Sequence, residues 1–271
     1  VSSALTVRRL RIDLSTPFPA DWQGEAFVSA WFNALSMSFP VGEQFFIDAV
    51  RAGLAQLPAP ERARFDDEVR GFIGQEATHR HVHSQFNAHL ERCGLVNTWQ
   101  VRAGRRIRRL AGLDVRHHVA ATAALEHLTA ILSEHLLAHP GLLDQAEPRL
   151  RALWFWHAAE ESEHRSTAFD VYRALGGDER RRLMWMRVIA LNFLVDALRQ
   201  TVRNLHHGGQ LWRRGTWAGA WRFFFGSEGL WPRLRGPLRA YFKPGFHPSQ
   251  LGGALGARWL AEHGDLAPAV G

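Results

Sequence analysis

Cys93 is the only cysteine in 271 residues, so no disulfide can close within the chain, and a reducing compartment is its expected setting. The same scarcity excludes zinc ribbons, iron–sulfur clusters and thiolate metal sites. Any bound metal must be held by carboxylates and by the 15 histidines. Long apolar runs are also missing. The longest lies around Met184–Val195 and is interrupted by Arg187 and Asn192, short of the roughly 20 apolar residues that a membrane-spanning helix requires. The opening stretch VSSALTVRRLRIDL has no apolar centre of the kind a secretory leader carries. The expected location is therefore the cytoplasm, with contact at the inner face of the membrane left open. Strand signals are nearly absent, apart from a weak hint at Leu5–Leu14. No flavin, nicotinamide or nucleic-acid motif is present.

What the chain does have is helical periodicity and positive charge. Hydrophobic residues make up 46% of the composition, and the formal charge is +7, carried largely by arginine clusters at Arg102–Arg109 and Arg180–Arg182. A solvated face and an anionic partner both explain such clusters, and nucleic acid is not the expected partner. The pattern predicts a helix from a cap at Asp21 to about Ser36 and a second segment from Pro40 to about Leu54. Further helices are predicted at Pro60–Arg92, Leu113–Ala138, Pro148–Gly176, Asp178–Leu205 and Pro248–His263. The basic stretch up to Arg109 reads as a connection. The fold class is all-α: a four-helix bundle with additional helices and an aromatic, arginine-rich C-terminal extension. We read one domain, with a bundle core over 20–206 and the extension over 207–271.

Four predicted helices each offer an inward-facing ligand set. Glu43 lies in FPVGEQFF, Glu76 and His79 in QEATHRHVH, Glu126 in ALEHLTA, and His157, Glu161 and His164 in HAAEESEHR. Residues three and four apart share a helix face, so each Glu-x-x-His pair can aim at one point. A lone Glu from each of two helices and Glu-x-x-His from each of the other two is the dimetal pattern of ferritin-like bundles. The halves match in length: Glu43 precedes Glu76 by 33 residues and Glu126 precedes Glu161 by 35. A lone Glu-x-x-His is usually a solvated face. Here it recurs, and Glu43 and Glu126 stand among apolar neighbours, where unpaired carboxylates would be costly to bury. His157 falls on the same stripe as Glu161 and His164 and is read as a third histidine ligand. Glu160 is the weaker alternative to Glu161. His83 is placed beside the site, Trp154 and Trp156 in the core, and the Thr122 hydroxyl on a backbone carbonyl.

These segments, with the late YFKPGFHP, resemble the bacterial proteins known as predicted metal-dependent hydrolases over about residues 30–263. The resemblance implies a place in the ferritin-like dimetal superfamily. The stretch His157–His164 also resembles the ligand pattern of arylamine N-oxygenases, di-iron enzymes with an extra histidine.

The first expectation for function is an oxidoreductase. Two divalent metals, iron first, with manganese or a mixed pair open, would activate dioxygen to oxidise a small apolar or aromatic substrate such as an amine. An external electron donor would be needed. The alternative is a dimetal hydrolase, which needs neither oxygen nor electrons. Metal storage is disfavoured by the basic charge and the long extension. Within that extension, residues 210–246 hold four of the 11 tryptophans. A lid over the bundle is the favoured reading, and a membrane-interface surface is the other. A homodimer stays open.

Overall fold

Where the sequence shows helical spacing, the computed structural model, which describes residues 5–270, has ten α-helices. They are α1 (Ala26–Gln56), α2 (Ala59–Arg92), α3 (Thr98–Leu110), α4 (Val115–Ala138), α5 (Pro148–His164), α6 (Thr167–Ala174), α7 (Glu179–His207), α8 (Arg214–Phe225), α9 (Leu230–Ala240) and α10 (Ala254–Glu262). Only Leu57 and Pro58 separate α1 from α2, which form a long helical hairpin. α4 and α5 form a second one, and α1 packs on α4. α7 lies across both α1 and α4, α8 packs on α1, α9 on α4, and α10 on α5. No helix among the described residues is long and apolar enough to cross a membrane.

Several boundaries differ from the sequence expectation. α1 begins after Glu25, not Asp21, and runs unbroken through Pro40. A proline in a helix interior removes the bond to the carbonyl four residues earlier, here that of Ser36. Asn87 on α2 supplies the missing donor, with Nδ2 2.9 Å from the Ser36 oxygen. The basic stretch read as a connection is a full helix, α3, capped by the Asn97 side chain on the Gln100 amide at 3.0 Å. Arg102 and Arg106 on α3 clamp the buried Asp196 of α7, Arg102 at 2.6 Å. Two arginines of that cluster therefore serve the fold. The helix predicted to run from Pro148 to Gly176 is broken at Arg165 and Ser166 into α5 and α6. The last helix starts at Ala254, after a 3-10 turn at Pro248–Gln250.

The weak strand hint at Leu5–Leu14 becomes extended chain with a single antiparallel bridge, Arg8 to Ala269. Arg9 and Arg11 amides donate to Pro268 and Leu266. This segment lies close against α2 at Gly71 and Gly74. A Cβ on Gly71 would meet the Leu5 carbonyl oxygen at 2.7 Å, and one on Gly74 would collide with Val7.

The apolar core falls into two clusters, and the change between them is informative. Along α1 the first cluster extends to Met37 and the second starts at Phe45. Along α2 the second cluster ends at Phe72 and the first resumes at Val82. Glu43, Glu76 and His79 occupy those two gaps.

Candidate metal centre

All seven residues singled out as ligands are buried: Glu43 from α1, Glu76 and His79 from α2, Glu126 from α4, and His157, Glu161 and His164 from α5. Burial of that many ionisable groups requires mutual pairing or cations. The spacing of three and four residues places each pair on one helix face, as the sequence implied. Glu161 stands at the centre. Its Oε1 is 3.4 Å from His157 Nε2, 3.5 Å from His79 Nδ1 and 3.8 Å from His164 Nε2. His164 Nε2 also lies 3.5 Å from Glu76 Oε1. Glu76, His79, Glu161 and His164 can each offer one ligand atom with all four within 4.8 Å of one another.

Outer partners hold the imidazoles in place. His79 Nε2 faces Glu160 Oε2 at 2.9 Å, so the ring donates there and turns Nδ1 toward Glu161. Glu160 in turn accepts from Arg8 at 3.2 Å, and Arg8 reaches Glu163 at 2.7 Å. His164 Nδ1 donates to Glu126 Oε2 at 2.9 Å, leaving Nε2 facing Glu76 and Glu161. Such outer bonds fix the ring and its tautomer in metal sites.

For His157 the proton positions follow from counting. Asn87 gives its amide protons to the Ser36 carbonyl, so its Oδ1 must accept, and the Ser36 hydroxyl donates to it at 2.8 Å. That uses the only proton on Ser36 Oγ. His83 Nδ1, 2.9 Å away, must therefore be the donor to that oxygen. Burial, and then the neighbouring His157, hold His83 well below the usual imidazole range, so it is neutral and its Nε2 accepts. The donor is His157 Nδ1 at 3.0 Å. Burial lowers His157 to about 3, so its remaining nitrogen, Nε2, is a bare lone pair. It points at a carboxylate oxygen 3.4 Å away. Two electron-rich atoms that face each other in a dry interior suit an intervening cation. Glu43, His83 and His157 also form a possible three-ligand group, but both ring nitrogens of His83 are already in use. We therefore assign His83 to positioning His157.

Further observations fit a cation site. Both oxygens of Glu43 and of Glu76, Glu126 Oε1, Glu161 Oε2, His79 Nδ1 and His164 Nε2 are buried and make no hydrogen bond among the described residues. Without cations, protons take over their role. Burial raises Glu43 and Glu76 well above the carboxylate range, and for Glu76 the neighbouring carboxylates add to it. Burial raises Glu126 to about 7, with His164 opposing. Burial disfavours protonated His79, but the bonds and charge of Glu160 and Glu161 outweigh it and hold it up at about 10. His164 is raised against its burial by Glu126 and Glu161. Burial would raise Glu161, yet His164 and His79 hold it below the usual range. The donor set is imidazole and carboxylate only, which suits divalent first-row metals.

The side residues mostly stand where the sequence placed them. Trp156 packs edge-on to His79, with centroids 4.9 Å apart, and Trp154 lies over His83 at 5.3 Å. Thr122 caps the His118 carbonyl at 3.1 Å. Phe72, the counterpart of His157 in the first half, packs edge-on to His164 at 5.0 Å. Glu160, weighed as a rival ligand, sits behind His79 instead. Arg8 carried no sequence signal, because its partner lies 152 residues away.

A narrow cleft with a cavity volume of about 50 Å³ abuts the cluster at His157. Phe39, Trp154 and Ala158 line it near His157, and Phe193, Phe223 and Leu230 line it under α7, α8 and α9. Its surface is almost wholly apolar.

A family model described as "Predicted metal-dependent hydrolase" matches residues 6–252. No curated protein and no solved structure matches the chain. The family match corrects the first expectation for function. It favours the hydrolase held as the alternative, and neither dioxygen chemistry nor an oxidoreductase gains support from it.

Proposed function

The chain belongs to the predicted metal-dependent hydrolase family, and from that premise we propose a dimetal hydrolase acting on a small substrate with an apolar chain or ring. Glu43, Glu76, His79, Glu126, His157, Glu161 and His164 would hold two divalent metals, in a single-domain bundle of the ferritin-like kind. The observation that carries the reading is the meeting of unpartnered buried oxygens with ring nitrogens turned toward them around Glu161. Bound metals there would supply Lewis-acid polarisation of the scissile group and a water of lowered pKa.

The protein's own part is to position and to exclude water. Glu160 keeps the Nε2 proton of His79 engaged, and the Ser36–His83 pair keeps the Nδ1 proton of His157 engaged, so the opposite nitrogens stay unprotonated when cations compete. The apolar walls of Phe39 and Trp154 take the non-reacting part of the substrate and bring its polar bond to the edge of the cluster at His157. A dry wall also strengthens the electrostatics of the cluster.

The test is metal content by mass spectrometry, followed by hydrolysis of nitrophenyl esters of rising acyl length. The expected result is about two metals per chain, activity lost on chelation and regained on metal return, and a preference for longer acyl groups. Full ester hydrolysis by demonstrably metal-free protein, or a chain that takes up no divalent metal, rejects the reading.

A further inference from the structure

α7 has two apolar faces. One faces the bundle through Met186 and Ala197. The other is a stripe of Met184, Val188, Leu191, Val195, Leu198 and Val202, all exposed, with Leu191 65% accessible. At 100° per residue these six fall within roughly an 80° arc, opposite the buried face. Among the described residues, none buries them.

The α8–α9 segment adds exposed apolar residues of its own. At the start of α7, Arg182 bonds the carbonyl of Tyr241, just past α9, and near its end Asn204 bonds the Ala30 carbonyl of α1 at 3.2 Å. α8 packs on α1 through Phe223, whose ring is 5.8 Å from Trp31. α8 thus shares α1 with α7, α9 shares α4 with α7, and α8 packs on α9. Their inner residues Phe193, Phe223 and Leu230 roof the apolar cleft. Their outer residues include Trp217, Trp221, Phe225 and Trp231, all exposed, with Trp221 66% accessible. A simple lid would need apolar residues only on its inner side.

Charge identifies the occupant. Nine arginines but only two acids occur between Met184 and Arg239. Asp196 is buried under Arg102 and Arg106, and Glu228 is engaged by Arg233 and His139. Arg199, Arg203, Arg213, Arg214, Arg235 and Arg239 form no ion pair among the described residues. The stripe has the spacing of a coiled-coil seam, but pairing it with a second copy would bring Arg187, Arg199 and Arg203 against one another with no free acid nearby. Tryptophans and arginines around an exposed apolar face instead match an anionic headgroup layer over acyl chains.

We propose that the outer face of α7, α8 and α9 docks on an anionic lipid bilayer as a peripheral, non-spanning contact. The surface does not depend on the hydrolase reading, and its test uses no activity. The full chain is floated with vesicles of phosphatidylglycerol and phosphatidylcholine, and with phosphatidylcholine alone. Expected are co-flotation with the anionic vesicles only, a blue shift of tryptophan emission, and release by salt. Replacing Arg199 and Arg203 by glutamine should weaken partitioning roughly fivefold per arginine. Trp221→Ser with Trp231→Ser, and separately Leu191→Glu, should abolish the emission shift. These are exposed positions, and unchanged circular dichroism and metal content control for folding. Equal flotation of the wild type and all variants overturns the assignment. So does an absence of flotation with a dimer that Leu191→Glu converts to monomer, which gives the face to a second copy.

Discussion

Asn87 on α2 donates to the carbonyl of Ser36 on α1 at 2.9 Å, and Ser36 is the residue whose helical partner Pro40 cannot provide. One side chain thus repairs the proline's defect and begins the chain of hydrogen bonds through Ser36 and His83 to His157. Asn87→Ala leaves a buried carbonyl unpaired, which should cost about 1–3 kcal/mol. In that background Pro40→Ala restores a backbone donor and should return part of the loss. The same proline substitution in the wild type has less to repair. Urea unfolding of the four proteins gives the coupling directly, and strictly additive effects would show that Asn87 and Pro40 act separately.

The pH dependence of the metal-free protein has a definite sign. Glu43, Glu76, His79 and His164 are raised in the fold, and Glu126 stands at about 7. A raised group contributes stability that is present below its unfolded pKa and lost as pH climbs through the folded one. His83 and His157 are lowered, so above the ordinary imidazole range they are neutral both folded and unfolded and add no slope. From about pH 6.5 to 8.5 the raised groups act together, and the melting temperature of metal-free protein should fall. With metal bound, protons and cations compete for the same atoms, so the fall should vanish or reverse. A calorimetric series that shows metal-free protein gaining stability across this window would contradict the assignment.

Much of this site was legible because helical geometry turns spacing into direction. Glu76 with His79, and Glu161 with His164, could be placed on shared faces without coordinates. Apolar neighbours marked Glu43 and Glu126 as buried. Residues that act across helices were not legible. Glu160 differs from Glu161 by one position, yet it turns to His79 on α2, and only the packing of α5 on α2 decides that. Arg8 arrives from an extended segment seated on Gly71 and Gly74, a docking that no periodicity announces. Pro40 looked like a boundary because sequence rules see the lost N–H but not the donor 47 residues later.

Glu160 and Glu161 are adjacent, equally buried, and should fail differently. Glu161→Gln removes the carboxylate that three imidazoles face, so at least one metal should be lost from the purified protein. Glu160→Gln can still accept from His79 through its amide oxygen but no longer carries charge. Weakening an outer partner typically lowers metal affinity about 10–100-fold, so the full complement should still load at high metal concentration. Chelator competition with cobalt as a spectroscopic probe separates the two. Identical affinity losses for both variants would mean that the roles are not divided as the geometry implies.

The cleft offers a test of substrate reach that leaves the ligands alone. Ser133 on α4 lines it, is itself none of the proposed ligands, and is buried. Ser133→Leu adds apolar bulk inside the cleft. Overfilling a packed region costs about 1–3 kcal/mol, so some loss of stability is expected. Short esters that do not occupy the far end should keep their kcat/KM. Long acyl esters should lose about 10–200-fold, the span that one methylene's fit in an apolar pocket commands. The loss should appear in KM, because the blocked region binds the non-reacting chain. Equal losses for short and long esters would point to disturbance of the metal cluster, and metal content measured on the same sample would tell the two apart.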